Sequence, residues 1–186
     1  MKGVDEELIV FPVEGLSLEA ARIAIDKLRN TPFVNAETRI VARLSSSAKG
    51  KLISNKATGK SKANGFTKEQ HNILAANVGR LFESSRLIES RPDREADPNI
   101  ISIKRFARFV FFGEKEAVAW ITLKESKQHG HHIYSVESIK VEALDRIVEV
   151  VSGNTPHASS APMSRIVAYL CAIVNGVVDY IRGNRN

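Results

Sequence analysis

The hydrophobic and polar positions of the first half of the chain follow a helical period in two places. Residues 17–29 place apolar side chains on one side of a helix that begins at the N-cap residue Ser17 and ends before Pro32. Residues 68–86 show the same period over a longer stretch. Between them, residues 38–44 alternate apolar and charged side chains, which predicts a short strand.

The second of these helices has the more specific start signal. Thr67 and Gln70 stand at the spacing of a capping box, and Phe66 precedes them at the position of a hydrophobic staple. The staple partner at N4 is His71, which an apolar stripe follows at helical spacing. The pattern therefore places this imidazole on the inward face at the start of the helix.

Three strand-like runs in the second half are separated by short polar connections: Ile100–Phe111, Ala117–Lys124 and His131–Val141. Short connections favour an antiparallel meander. We therefore predict an α+β fold, in which N-terminal helices pack on a three- to four-stranded antiparallel meander, plus a C-terminal hydrophobic helix. If the loop 125–130 pairs Lys124 with His131, Ser135 lies opposite Trp120, and Lys124 and Ser135 share the face directed away from the core.

The composition changes after residue 151. Residues 1–151 are predicted to form the α+β domain, residues 152–162 a linker rich in serine, and residues 163–186 the C-terminal helix. The uninterrupted apolar part of that helix is too short to cross a bilayer. It is therefore expected to dock on the domain, on a second copy or on a protein partner, and no membrane association is predicted.

Length and composition restrict the class of protein. The 186 residues, 43% apolar and 26% charged, suit one globular domain with a modest appendage. The only cysteine, Cys171, cannot form an internal disulfide or a cysteine metal cluster, so a cytoplasmic protein without a metal or cofactor is expected. The acidic N-terminal residues do not fit a secretory signal.

The positive charge is concentrated in one segment. Between Glu37 and Glu69 the chain has eight cations and no acid, which more than accounts for its net charge of +6. Such a segment is either a solvated loop or a surface for a polyanion. Further along, Arg105, Arg108 and Trp120 are candidates for stacking on nucleic-acid bases, with Arg108 and Trp120 expected to be exposed.

The sequence resembles a known family in five segments: TRIVARLSSSAKGKLIS, KATGKSKANGFTKEQHNILAANVGRLFE, IKRFARF, WITLKES and HHIYSVESIKVE. They resemble a large polyvalent-protein-associated domain of phages and mobile elements, which is similar to the phage barnase–EndoU–colicin–RelE-like nucleases. The resemblance covers about residues 18–145. It implies an α+β unit with an antiparallel meander, and metal-independent cleavage of RNA.

The resemblance also implies a set of site residues: Lys51, Lys60, His71, Lys124, Tyr134 and Ser135. In the resulting hypothesis His71 is the general base for a ribose 2′-hydroxyl, and Lys124 stabilises charge on the phosphorus. Tyr134 and Ser135 donate hydrogen bonds to the phosphate. The flanking phosphates are bound by lysines of the basic segment: Lys51, Lys56, Lys60 and Lys62.

Two other hypotheses remain open at this point. The chain is alternatively a noncatalytic module for nucleic-acid or protein interaction, which needs the basic segment but no ordered cluster of His71, Lys124 and Ser135. In the remaining hypothesis the chain is an immunity-type or structural protein that forms an oligomer through its C-terminal helix. Convergence of those three side chains around one cleft would favour the enzyme.

Overall fold

The computed structural model describes residues 8–93 and 97–151. The strands are β1 (Val10–Phe11), β2 (Phe33–Val34), β3 (Val41–Leu44), β4 (Arg86–Arg91), β5 (Ile100–Phe112), β6 (Lys115–Gln128) and β7 (His131–Ala143). The helices are α1 (Leu18–Lys27), α2 (Ala48–Leu52), α3 (Asn55–Ala63), α4 (Lys68–Ala76), α5 (Val78–Glu83) and α6 (Leu144–Val151). The chain divides into two compact units, residues 1–144 and 145–186. The predicted linker and C-terminal helix lie outside the described residues.

The α+β class is confirmed, but the predicted three- to four-stranded antiparallel meander is wrong. The strands form a seven-stranded mixed sheet in the order β1-β5-β6-β7-β3-β2, with β4 also paired to β5. The long strands β5, β6 and β7 are antiparallel neighbours as predicted, whereas β1 pairs with β5 and β3 pairs with β7 in parallel. The additional strands are short, and a strand of two residues gives no periodic signal.

Helices and sheet enclose the core on one face of β6. Ile121 and Leu123 of β6 are fully buried there, together with Ile25 of α1 and Leu74 of α4. The face of β6 that carries these alternate apolar residues therefore packs against the helices. One predicted helix differs in detail, because residues 68–86 are divided at Asn77 into α4 and α5. The basic segment forms the two helices α2 and α3.

The predicted register of the last hairpin is wrong. Lys124 pairs with Ser135, and His131 pairs with Gln128. The strands continue to a tight turn at His129 and Gly130, both of which have positive φ (48° and 83°). Positive φ at both central residues is typical of a two-residue hairpin turn, so residues 125–128 belong to the strand and not to a loop.

Gly15 connects the N-terminal segment to the start of α4. Its φ is +72°, and a Cβ at this position would lie 2.2 Å from the carbonyl carbon of Glu69. The next residue, Leu16, donates a backbone hydrogen bond of 2.9 Å to the Glu69 carbonyl oxygen. Any side chain at position 15 would therefore strain the backbone and break this contact.

We expect Gly15→Ala to lower the free energy of unfolding by about 2 kcal/mol, because of the positive φ and the backbone clash. Urea unfolding measures the change. Gly59→Ala is the matched control, since the space around Gly59 in α3 is open. Alanine favours a helix, so the control should be neutral or slightly stabilising. Equal stability of the two variants would contradict this role of Gly15.

Candidate functional site

Helix α3 presents three lysines of the basic segment that the fold leaves without an ion pair among the described residues. Its N-cap Ser54 accepts a hydrogen bond of 3.1 Å from the Ala57 backbone nitrogen. One side of the helix is buried against the domain, whereas Lys56, Lys60 and Lys62 are exposed. Within the described residues, none of these three ammonium groups forms an ion pair. Lys56 and Lys60 are i, i+4 neighbours, so their charges add on one surface.

The earlier lysines of the segment differ because they are neutralised within the domain. Lys49 of α2 forms an ion pair with Asp26, and its hydrogen bond lowers the pKa of that carboxyl. Lys51 places its Nζ 2.6 Å from Oε1 of Glu137, and Nζ of Lys124 lies 3.9 Å from the same oxygen. Phosphate would therefore compete with a carboxylate for Lys51 and for Lys124.

His71 is fully buried, and both of its ring nitrogens are hydrogen-bonded inside the domain. Nε2 donates to the Leu52 carbonyl oxygen (2.6 Å), and Nδ1 accepts from the Ser61 hydroxyl (2.7 Å). Burial lowers the pKa of His71 below 6.5, so the ring is neutral at pH 7. The predicted capping box of Thr67 and Gln70 is confirmed. In this arrangement the imidazole joins α2, α3 and α4.

The structure separates His71 from the other residues of the predicted catalytic set. Lys124 and Ser135 are direct register partners on β6 and β7. Lys124 follows the core residue Leu123, so its side chain leaves from the face opposite to the core. His71 lies on the core side of the same sheet. The three side chains therefore do not line one cleft, although Lys124 and Ser135 are adjacent.

The residues proposed for base stacking are also placed differently from the prediction. Trp120 is 5% exposed and Arg108 is 3% exposed, so the expectation of an exposed pair is wrong. Arg108 pairs with Ala119 in the core-facing register and donates to the Ser84 carbonyl oxygen at 3.2 Å. The guanidinium over the Trp120 ring belongs to Arg105, at 4.9 Å from the ring centroid.

The aromatic run in β5 explains this error. The residues of β5 in the core cluster are Phe106, Val110 and Phe112, which share a face with Arg108. Phe109 and Phe111 instead contact each other edge to face, with their ring centroids 4.9 Å apart. Apolar residues occupy both faces of this strand, so alternation alone does not identify the inward face.

A cluster of polar side chains that the sequence did not predict lies near the turn between β6 and β7. Glu125 accepts hydrogen bonds from the Ser102 hydroxyl, from Nδ1 of His132 (2.7 Å) and from the Tyr134 hydroxyl (2.9 Å). Nζ of Lys104 lies 3.1 Å from its second oxygen. Burial acts to raise the pKa of Glu125, but these hydrogen bonds outweigh it and lower the pKa to about 2.

The register of β6 and β7 creates this cluster. Glu125 pairs directly with Tyr134, and His132 lies two residues earlier on the same face. Of these residues, only Tyr134 was among the predicted site residues. The positive-φ turn at His129 and Gly130 would have fixed the register, but histidine is not a strong signal for such a turn.

The described part of the chain contains no group of three or more His, Cys, Asp or Glu side chains arranged to hold a metal ion. Among the helices of that part, none combines the length and apolar character needed to cross a membrane. Two features of the described residues are candidates for function: the ammonium groups of α3 that form no ion pair there, and the hydrogen-bonded carboxylate of Glu125.

Comparison with known protein families identifies a match for most of the described residues. Residues 15–134 match the family model of large polyvalent protein-associated domain 3. No curated protein and no solved structure matches the chain. The similarity to barnase-like nucleases, which the family resemblance implied, is therefore not shown. The assignment of the chain to phage polyvalent proteins is supported. Because the match covers more than half of its residues, the chain belongs to the family of large polyvalent protein-associated domain 3.

Proposed function

We propose that this domain is an RNA-binding module of a phage polyvalent protein, and that RNA binds along helix α3. The observation that carries the proposal is the set of exposed lysines on α3, Lys56, Lys60 and Lys62, which have no ion-pair partner among the described residues. The helix also lies in a segment without acidic residues. Cations that the fold leaves uncompensated favour a polyanion, because binding phosphates releases condensed counterions.

The local shape of α3 supports the same function. A Cβ added at Gly59 would meet no atom within 4 Å, so the helix surface beside Lys56 and Lys60 is open. The two lysines are separated by about 6 Å along the helix axis, as four residues of an α-helix require. A nucleic-acid backbone can therefore approach the helix closely and contact both ammonium groups. RNA, rather than DNA, is the substrate that the sequence resemblance implies.

In this function His71 has a structural role and not a catalytic one. Both ring nitrogens are already hydrogen-bonded, and the ring is fully buried, so it offers no atom to a ribose hydroxyl. Metal-independent RNA cleavage is nevertheless a second candidate function. The observation that favours it is the cluster around Glu125, where Tyr134 and His132 meet a buried carboxylate.

Replacing the three lysines of α3 tests the proposed function. We expect the variant Lys56→Gln/Lys60→Gln/Lys62→Gln to bind a 20-nucleotide single-stranded RNA at least about tenfold more weakly at 0.1 M salt, because three phosphate contacts are lost. Filter binding or fluorescence anisotropy measures the affinity. The lysines are exposed, so the free energy of unfolding should change little.

The matched control removes the same charge elsewhere. Arg22, Lys27 and Arg39 are exposed and form no ion pair within the described residues. The variant Arg22→Gln/Lys27→Gln/Arg39→Gln should retain RNA affinity within about twofold if binding is local to α3. Equal loss in both variants would indicate an effect of net charge alone. An unchanged affinity in the α3 variant would refute the proposal.

A further inference from the structure

One histidine of the Glu125 cluster is arranged differently from the buried His71. The Glu125 side chain is 8% exposed, whereas that of His132 is 52% exposed. Nδ1 of His132 lies 2.7 Å from Oε1 of Glu125. A carboxylate oxygen accepts hydrogen bonds, so Nδ1 carries the proton, and in the neutral ring Nε2 has a free lone pair. Within the described residues Nε2 has no hydrogen-bond partner.

We infer that His132 is a proton-transfer residue for cleavage of the RNA backbone, and that Glu125 is its positioning residue. This inference rests on the proposed RNA binding, and it assigns the catalytic role to residues that the sequence analysis did not select. A carboxylate that fixes one imidazole nitrogen, while the other nitrogen is accessible, is the arrangement that a general base requires.

The rest of the cluster explains why Glu125 can hold the ring in one orientation. Lys104 balances the carboxylate charge, and the Ser102 and Tyr134 hydroxyls also donate to it. Burial and the hydrogen bond to Glu125 raise the pKa of Tyr134, so its hydroxyl keeps its proton. Because Glu125 already has three other partners, it does not need His132 for its own hydrogen bonding. The exposed His132 ring is therefore an additional partner of a carboxylate whose other hydrogen bonds are already formed.

The chemical step needs no cofactor. Nε2 of His132 takes the proton of the ribose 2′-hydroxyl while the 2′-oxygen forms a bond to the adjacent phosphorus. The bond between phosphorus and the 5′-oxygen then breaks, and the leaving 5′-oxygen takes up a proton from the imidazolium. The products are a 2′,3′-cyclic phosphate and a 5′-hydroxyl, and His132 returns to its neutral form.

The cluster of Glu125 and His132 lies on the same side of the sheet as α3. Tyr134 packs against the core on the face that the helices cover, and His132 shares its face two residues earlier. At the other end of β7, Asn64 next to α3 donates a hydrogen bond of 3.0 Å to the Val141 carbonyl oxygen. The strand between them is about 30 Å long. A stacked RNA strand of on the order of ten nucleotides would span this distance.

The test is incubation of the full chain with a 20-nucleotide RNA in EDTA, followed by analysis of the product ends. We expect cleavage with 2′,3′-cyclic phosphate ends in the unmodified protein. His132→Ala should lower kcat by about 10²–10⁴-fold and leave RNA affinity within about twofold. The control is His131→Ala, because His131 is exposed and adjacent but directed to the opposite face of β7. It should cleave like the unmodified protein.

Glu125→Gln distinguishes a positioning role from a structural one. It should lower kcat with little change in KM, and His132→Gln should be as inactive as His132→Ala. RNA binding without cleavage would overturn this inference and leave the proposed function intact. Cleavage that persists in His132→Ala would also overturn it. If the protein neither binds nor cleaves RNA, both fail, whereas cleavage that is unaffected by the α3 substitutions would contradict only the role of α3.

Discussion

We expect His71→Ala to lower the free energy of unfolding by about 3–5 kcal/mol. The side chain is fully buried, and its loss leaves a cavity among α2, α3 and α4. The Leu52 carbonyl oxygen also loses the donor at 2.6 Å, and the Ser61 hydroxyl loses its acceptor at 2.7 Å. Unsatisfied polar groups at a buried site add to the effect of the cavity.

Urea unfolding followed by Trp120 fluorescence measures this change, with His131→Ala as the control. His131 is exposed, so its replacement should alter the free energy of unfolding by less than about 0.5 kcal/mol. If His71→Ala is as stable as the control, the structural role of His71 is excluded. RNA affinity per folded molecule should be unchanged in both variants, because His71 does not reach the surface.

The second large effect concerns acid stability and Glu125. Its pKa in the folded chain is about 2, against an ordinary value of 4.5. As the pH falls below 4.5, the unfolded chain takes up a proton at this residue before the folded chain does. The stabilisation is therefore complete above about pH 5 and is lost between pH 4.5 and pH 2. A difference of this size corresponds to about 3 kcal/mol.

Measurement of unfolding free energy from pH 7 to pH 2, in the unmodified chain and in Glu125→Gln, tests this expectation. Glutamine does not titrate, so the stability difference between the two proteins should shrink below about pH 4.5. The lowered pKa of His71 also reduces stability below pH 6.5, but both proteins share this contribution. Parallel curves over the whole range would show that Glu125 has an ordinary pKa.

The sequence predicted those helices and strands whose capping residues or apolar periodicity lie within the element itself. The Ser17 N-cap and the capping box of Thr67 and Gln70 mark helix starts that the structure confirms. The three long strands were predicted because their apolar positions extend over many residues. The parallel pairing of β3 with β7 was not, because it depends on contacts between Ala42 and Tyr134, which are far apart in the sequence.

The candidate sites show the same limit. The sequence identified the basic segment, but it treated Lys51 and Lys56 as equivalent. Only the fold places Glu137 beside Lys51 and leaves Lys56 without an ion pair within the described residues. The cluster of Glu125 and His132 was missed because it depends on the strand register, which a tight turn determines.

The salt dependence of RNA binding tests the role of α3 most directly. The logarithm of the association constant should fall linearly with the logarithm of salt concentration, by about 0.7 for each phosphate contact on a single strand. Loss of Lys56, Lys60 and Lys62 should therefore reduce the slope by about 2. The variant lacking Arg22, Lys27 and Arg39 should keep the slope of the unmodified protein. Identical slopes for the unmodified protein and the α3 variant would contradict the assignment of RNA binding to this helix.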